Sequence, residues 1–254
     1  MDPWLTLAVV AGMVLAGTLL LNAIGAKVKA EPLTAIARAG LQLAALVLIL
    51  KLVFTSIWLV LVWLGVMLVV AILTSAKRIG WSTPVLKAAA AAIATSAVIT
   101  VGIISASGIT GRDTQHLLAI GGILIGNVMS ITSVTAKRLR EHLQESRDEI
   151  EGMLALGATP RQAAARFRGL SVSHALIPTI DSTSTTGLVT LPGAFVGALF
   201  AGSDPLDAGL FQLVVLGSIL FGGAIAGTVV TQLLGAPKVL PQPPREAKES
   251  SATK

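Results

Sequence analysis

Cysteine and tyrosine are both absent from this chain. Without cysteine there is no disulfide framework and no thiolate metal site, and the redox compartment cannot be read from the sequence. Histidine occurs only three times, so imidazole chemistry rests on His116, His142 and His174. No G-x-x-x-x-G-K stretch occurs, which excludes a phosphate-cradling P-loop and with it nucleotide hydrolysis through that motif. Charged residues make up only 13% of the chain, and the formal net charge of +6 does not point to nucleic acid. The basic residues are scattered between apolar runs and are not interleaved with aromatics, a pattern explained by loops flanking membrane spans.

What the chain has in quantity is apolar surface. Of 254 residues 54% are hydrophobic, and the mean hydropathy is +0.82, beyond the range of a water-soluble domain. A hydrocarbon core about 30 Å thick needs roughly 20 helical residues. Seven stretches approach or meet that length, at 3–21, 35–54, 57–76, 85–106, 116–136, 185–201 and 208–234. The expected fold is an all-α integral membrane protein of about seven transmembrane helices, occupying residues 1–234. Residues 235–254, rich in proline, charge and small polar side chains, read as a disordered cytosolic tail. The first span begins with Asp2 and lacks a basic leader, so it reads as a retained span and not a cleaved signal.

Lysine and arginine set the orientation. With the N-terminus outside and the C-terminus cytosolic, the inner segments carry Lys27, Lys29, Arg38, Lys77, Arg78, Lys87, Lys137, Arg138, Arg140, Arg147, Arg161, Arg166, Arg168, Lys238, Arg245, Lys248 and Lys254. That is 17 of the 19 basic residues, leaving Lys51 and Arg112 outside. Lys51, at an outer span end, reads as a snorkelling side chain. Glycines four apart at 122 and 126, 193 and 197, and 223 and 227 allow close helix approach, either within the chain or at a dimer face.

One segment, about residues 137–176, interrupts the apolar pattern. Leu139, Leu143, Ile150 and Leu154 fall on one helical face among charged neighbours, predicting an amphipathic continuation of the fifth span. Gly157 is placed to stop that helix in a left-handed conformation. Thr159, Pro160 and Gln162 then form the signature of a capping box with proline at the first helical position. The product is a helix, a sharp turn and a second helix on the basic side of the membrane. Such an elbow either lies on anionic lipid or docks a soluble partner.

Polar groups inside the spans are the candidates for a substrate path. Asn127, Met129, Ser130, Thr132 and Ser133 cluster in span five, where they serve either interhelical hydrogen bonds or a passing solute. In "IPTIDSTSTTG", Pro178 is expected to interrupt helical continuity, and Asp181 or Ser182 to cap the following span. Ser182, Thr183 and Thr185 supply hydroxyls. Asp181, a hard oxygen donor, with Asn127 and the hydroxyls, suits transient contact with a divalent cation; the alternative is a plain helix cap. Met129 is the one soft donor near that path. His174 is either a ligand on the cytosolic approach or a solvated surface histidine. Pro192 and Gly193 are expected to kink the sixth span.

Glu151 and Gly157 stand six apart, and with "LALGATPRQAA", "ALIPTIDSTSTTGLVTLPG" and "GGILIGNVMS" the segment 121–202 resembles the ABC-transporter permease family of bacterial iron exporters and plant aluminium-tolerance proteins. Ser130 departs from that family's pattern, in which asparagine commonly follows the methionine. The Ile177–Pro178 pair also lies further past the glycine than the Leu-Pro of importer permeases. The resemblance implies a homodimeric permease in a bacterial inner membrane, embedded in lipid and coupled to a separate cytosolic ATPase subunit. That subunit would hold ATP and Mg; the chain itself would carry no cofactor and no catalytic residue. It implies coupling through Glu151, Leu154, Gly157, Ala158, Thr159 and Pro160, and export of iron or another metal species. From the residues alone, an ATP-independent carrier or channel and a membrane scaffold for a cytosolic partner remain alternatives.

Overall fold

The computed structural model describes residues 2–26, 31–109 and 114–236. Lys27, Lys29, Arg112, the Lys51 side chain, and the tail from residue 237 with its four basic residues lie outside that description. Ten helices and no strand occur among the described residues. They are α1 (Pro3–Ala23), α2 (Glu31–Val53), α3 (Ile57–Ile79), α4 (Thr83–Ser107) and α5 (Thr114–Glu145). There follow α6 (Arg147–Ala155), α7 (Pro160–Ala163), α8 (Ala165–Ser184), α9 (Gly193–Phe200) and α10 (Pro205–Leu234). Helices are the expected outcome, because hydrocarbon offers no partner for an open backbone N–H or C=O.

The chain divides into two units, residues 1–59 and 60–254. In the first, α1 and α2 pack on each other. The Asp2 carboxylate caps α1 by accepting from Trp4 N at 3.0 Å, and Pro3 stands at its first position, where no N–H is missed.

The core of the second unit is formed by α4, α5, α8 and α10. Its contacts run through small residues, as membrane packing requires. A Cβ placed on Gly222 of α10 would lie 2.6 Å from Leu124 Cδ1 and 2.9 Å from Ser96 Oγ. Ser96 Oγ donates to the Gly222 carbonyl at 2.7 Å, so this approach is also a hydrogen bond between α4 and α10. Gly223 meets Ile131 and Leu176, and Gly227 meets Val172. Since Val172 pairs with Gly227 and Leu176 with Gly223, α8 runs antiparallel to α10. The 223/227 glycine pair therefore packs within the chain. Positions 126, 193 and 197 have open space where a Cβ would stand. Ser133 Oγ donates to the Met129 carbonyl of its own helix and pairs with the Ser75 hydroxyl at 3.0 Å, where it can accept, tying α5 to α3.

Among the described residues six helices, α1 to α5 and α10, are long and apolar enough to cross a membrane. The expected span at 185–201 is corrected: it is not one helix. Helix α8 begins directly after the elbow and reaches Ser184, so this leg starts some twenty residues earlier than hydropathy placed it. Its polar composition hid it from a hydropathy reading. Pro178 does not interrupt α8; lacking an N–H it leaves the His174 carbonyl without its helical donor, while the helix runs on. Asp181 and Ser182 lie inside α8 and cap nothing downstream. A turn at 185–192 follows, with Gly187 at φ +86° and Gly187 N donating to the Thr190 carbonyl at 2.8 Å. Pro192 is then the N-cap residue of the eight-residue α9, not a kink within a span.

Because Gly222 has neighbours on two sides, Gly222→Ala should destabilise the second unit by about 1–3 kcal/mol, the usual range for overpacking. Gly126→Ala, with nothing within 4 Å of the new methyl, should be close to neutral. Thermal unfolding of the two variants in detergent distinguishes a packed glycine from an incidental one.

Candidate functional site

Helix α5, 32 residues long, overshoots the length a bilayer requires, and its last turns carry the elbow. The apolar stripe predicted from spacing is real: Leu139, Leu143 and Ile150 are buried together with Ala163, Ala164 and Phe167, and Leu154 packs against them. The face that needed a partner finds it in the returning chain of α7 and α8. The elbow is therefore a small folded unit and not a loose surface hairpin.

Its turn is fixed by backbone chemistry. Gly157 has φ +91°, a conformation that costs a residue with a Cβ. Gly157 N donates to Leu154 O and Ala158 N to Met153 O, each at 3.0 Å. This is the paired pattern that satisfies the last carbonyls of a helix ending in a left-handed glycine. Thr159 then starts α7: Gln162 N donates to Thr159 Oγ1 at 3.3 Å, and Thr159 N donates to Gln162 Oε1 at 2.8 Å. Both halves of the predicted capping box are present, with Pro160 at the first helical position.

The elbow is also tied to its surroundings. Arg161 and Arg168 both donate to Gln232 Oε1 near the end of α10, at 2.9 and 2.8 Å. Arg166 reaches Glu149 at 3.4 Å, across from α8 to α6. Arg140 Nη1 donates to the Ile79 carbonyl at 3.4 Å, joining the elbow end of α5 to the α3–α4 turn. Lys77 and Arg78, at the end of α3, thus stand at the same end of the bundle as the elbow. Beside Arg140 a cleft of about 380 Å³ opens, lined by Trp81, Ser82, Leu143 and Leu234 among others.

Of the six coupling residues expected from the sequence, Gly157, Thr159 and Pro160 are exposed at the apex and Ala158 is half-buried there. Glu151 is exposed on the flank of α6, paired with Arg147 at 2.7 Å. Leu154 turns inward and supports the elbow. Sequence reasoning missed Leu156, which is 90% exposed at the tip. The signal for it was its position, one residue before the stop glycine and off the apolar stripe.

The polar path is less converged. Asn127 Nδ2 donates to the Ile123 carbonyl of its own helix at 2.8 Å, and Ser130 Oγ to Gly126 O at 3.3 Å. Met129 is half-buried. On α8, Ser182 and Thr183 both donate to the Thr179 carbonyl, and Thr185 to the Asp181 carbonyl. These hydroxyls are satisfied locally, the ordinary fate of serine and threonine in a helix. Asp181 is exposed. Ile131 and Leu176 share the Gly223 contact, so one turn further along the antiparallel pair Asn127 stands level with Ile180, next to Asp181. Pro192 is half-buried at the start of α9. No three histidine, aspartate or glutamate side chains converge on a metal position among the described residues. Deeper in the bundle, Thr100, Thr132 and Thr135 Oγ1 and Gln212 Oε1 are buried without hydrogen-bond partners among the described residues. Such groups are costly in a bilayer. Only Thr132 was singled out by sequence.

Three relatives illustrate what the chain is similar to. It is 35% identical over 206 residues to the UPF0014 membrane protein STAR2 of Oryza sativa subsp. japonica, covering 80% of this chain and 72% of that one. It is 31% identical over 207 residues to the protein ALUMINUM SENSITIVE 3 of Arabidopsis thaliana, covering 80% and 75%. It is 34% identical over 142 residues to the probable iron export permease protein FetB of Escherichia coli (strain K12), covering 56% and 55%. The profile of the uncharacterised protein family UPF0014 matches residues 4–237. No solved structure matches the chain.

The elbow's stability should rest on its turn. Removing the capping oxygen in Thr159→Ala should cost about 1 kcal/mol. Hydrogen exchange over 147–168 should accelerate in that variant while exchange in α4 stays unchanged.

Proposed function

Because the chain belongs to the UPF0014 family of multi-pass membrane proteins, we propose that it is the permease subunit of an ATP-driven exporter, coupled to a separate ATPase. The observation that carries this reading is the elbow. Its apolar stripe is consumed internally, its turn is held by a glycine stop and a complete capping box, and what remains outside is an apex of Leu156, Gly157, Thr159 and Pro160. A lipid-lying hairpin would keep its apolar stripe for the bilayer. This one spends the stripe on folding and presents a compact knob, the form suited to transmitting force from a partner to α5, α8 and α10. The concentration of lysine and arginine at the same end supports a cytosolic position.

The same reading makes the functional unit a homodimer, with the open glycine positions 126, 193 and 197 available for close approach by a second copy. ATP and Mg belong to the partner ATPase, since this chain has no P-loop. For cargo, the iron named for the FetB relative and the oxygen donors Asp181, Asn127, Ser130, Ser182, Thr183 and Thr185 support a metal species passing through weak, exchangeable contacts. Thr100, Thr132, Thr135 and Gln212 supply further unpartnered oxygens inside the bundle. The membrane is the bacterial plasma membrane in this account.

The test is reconstitution of the chain with its ATPase in vesicles. ATP hydrolysis should rise when the permease is present and rise again with iron, and Gly157→Val should abolish the rise while both proteins still insert. Stimulation that ignores every metal would remove the metal assignment and leave the ATPase coupling. Solute flux without any ATPase would favour an ATP-independent carrier, and neither flux nor stimulation would favour a scaffold.

A further inference from the structure

His142 on α5 and His174 on α8 come from distant parts of the chain, yet their rings meet beside the elbow with centroids 5.5 Å apart and planes inclined at 56°. His142 Nδ1 lies 3.9 Å from the Glu145 carboxylate, less than a turn away on the same helix. His142 Nε2 is buried and has no hydrogen-bond partner among the described residues. The 3.9 Å separation is a contact and not a hydrogen bond; a neutral imidazole with its proton on Nδ1, the nitrogen nearer the carboxylate, has Nε2 free as a lone-pair donor. Left empty, a buried acceptor of that kind is unfavourable. This leaves a ligand-shaped want: one oriented nitrogen, a second imidazole beside it, and a carboxylate behind.

A metal ion would fill it. A metal–nitrogen distance of about 2.1 Å places the ion about 3.2 Å from each ring centre, so two imidazoles at octahedral or tetrahedral angles have centres about 4.5 to 5.3 Å apart. The observed separation is within a few tenths of an ångström of that range. Imidazole selects borderline transition metals over magnesium and calcium, and a carboxylate behind the ligating histidine is the usual way its tautomer and orientation are fixed.

The geometry points to a two-histidine site for a divalent transition metal of the Fe(II), Co(II), Ni(II), Zn(II) class, with His142 Nε2 and a His174 ring nitrogen as ligands and Glu145 as the positioning carboxylate. With no third acidic or imidazole side chain converging there among the described residues, water or an accompanying anion completes the coordination, and the ion exchanges readily. The site is separate from the oxygen-rich stretch at Asp181. It bridges α5 and α8, the two legs of the elbow, so occupancy stiffens the elbow. The inference does not depend on the transport reading, because it concerns direct binding to the isolated chain.

The test is titration of the purified full-length protein in detergent with Co(II), read by its visible ligand-field absorbance, followed by displacement with Zn(II). One Co(II) should bind per chain. His142→Gln and His174→Gln should each abolish the signal, and Glu145→Gln should weaken binding about tenfold, as loss of such outer partners does. His116→Gln, whose ring packs edge-on against Phe211 at 4.9 Å, should leave binding intact. His174 is exposed, so its replacement is tolerated by the fold and decides the matter even if the His142 variant misfolds. Co(II) binding that survives His174→Gln, or that falls equally in His116→Gln, would overturn the site.

Discussion

A backbone placed in hydrocarbon must satisfy its own hydrogen bonds, and most of what this protein does structurally follows from that constraint. It makes helix the one regular structure of the described chain, with no strand. It turns hydroxyls on α8 back onto the carbonyls of their own helix. It also leaves packing to small residues, because hydrophobic burial cannot drive one helix against another inside lipid. Gly222, Gly223 and Gly227 on α10 lie where side chains of α4, α5 and α8 come close against it. The Ser96 bond to the Gly222 carbonyl is possible only at that distance.

The elbow lies where the constraint is released. Past residue 139 or so, water can serve the backbone, and charged residues become affordable. The apolar stripe then acts by ordinary burial, folding α6 and α7 back on the start of α8. Arg161 and Arg168 fasten this unit to Gln232 on α10. A push on the apex would reach α10 through those hydrogen bonds and α5 through α6, which is set off from it by a break at Ser146. That is the mechanical content of the proposed coupling: a rigid knob whose two legs are themselves core helices of the bundle.

The sequence was most legible where local rules act alone. The glycine stop and the capping box depend on residues within six positions of one another, and both formed as the spacing of Gly157, Thr159 and Gln162 required. The stripe of Leu139, Leu143, Ile150 and Leu154 announced a buried face but not what would cover it. The reading failed at α8, because hydropathy detects lipid-facing helices and α8 is polar on much of its surface. Pro178 and Asp181 looked like punctuation and lie inside the helix instead. Tertiary contacts with α5 and α10 hold α8 together through a proline that would weaken it in isolation. Leu156 was hinted at by its place off the stripe, though only the fold shows it uncovered, and the pairing of His142 with His174 was beyond local rules altogether, since it is a contact across 32 residues.

The central claim is that the elbow apex is where a soluble ATPase meets the membrane subunit, and site-specific photo-crosslinking tests it most directly. A photoreactive residue at position 156, in membranes containing both proteins, should yield a covalent adduct with the ATPase. The same probe at Leu188, on the turn after α8 and 91% exposed, should not. Adducts from position 156 to lipid alone, or equal ATPase adducts from both positions, would contradict the account.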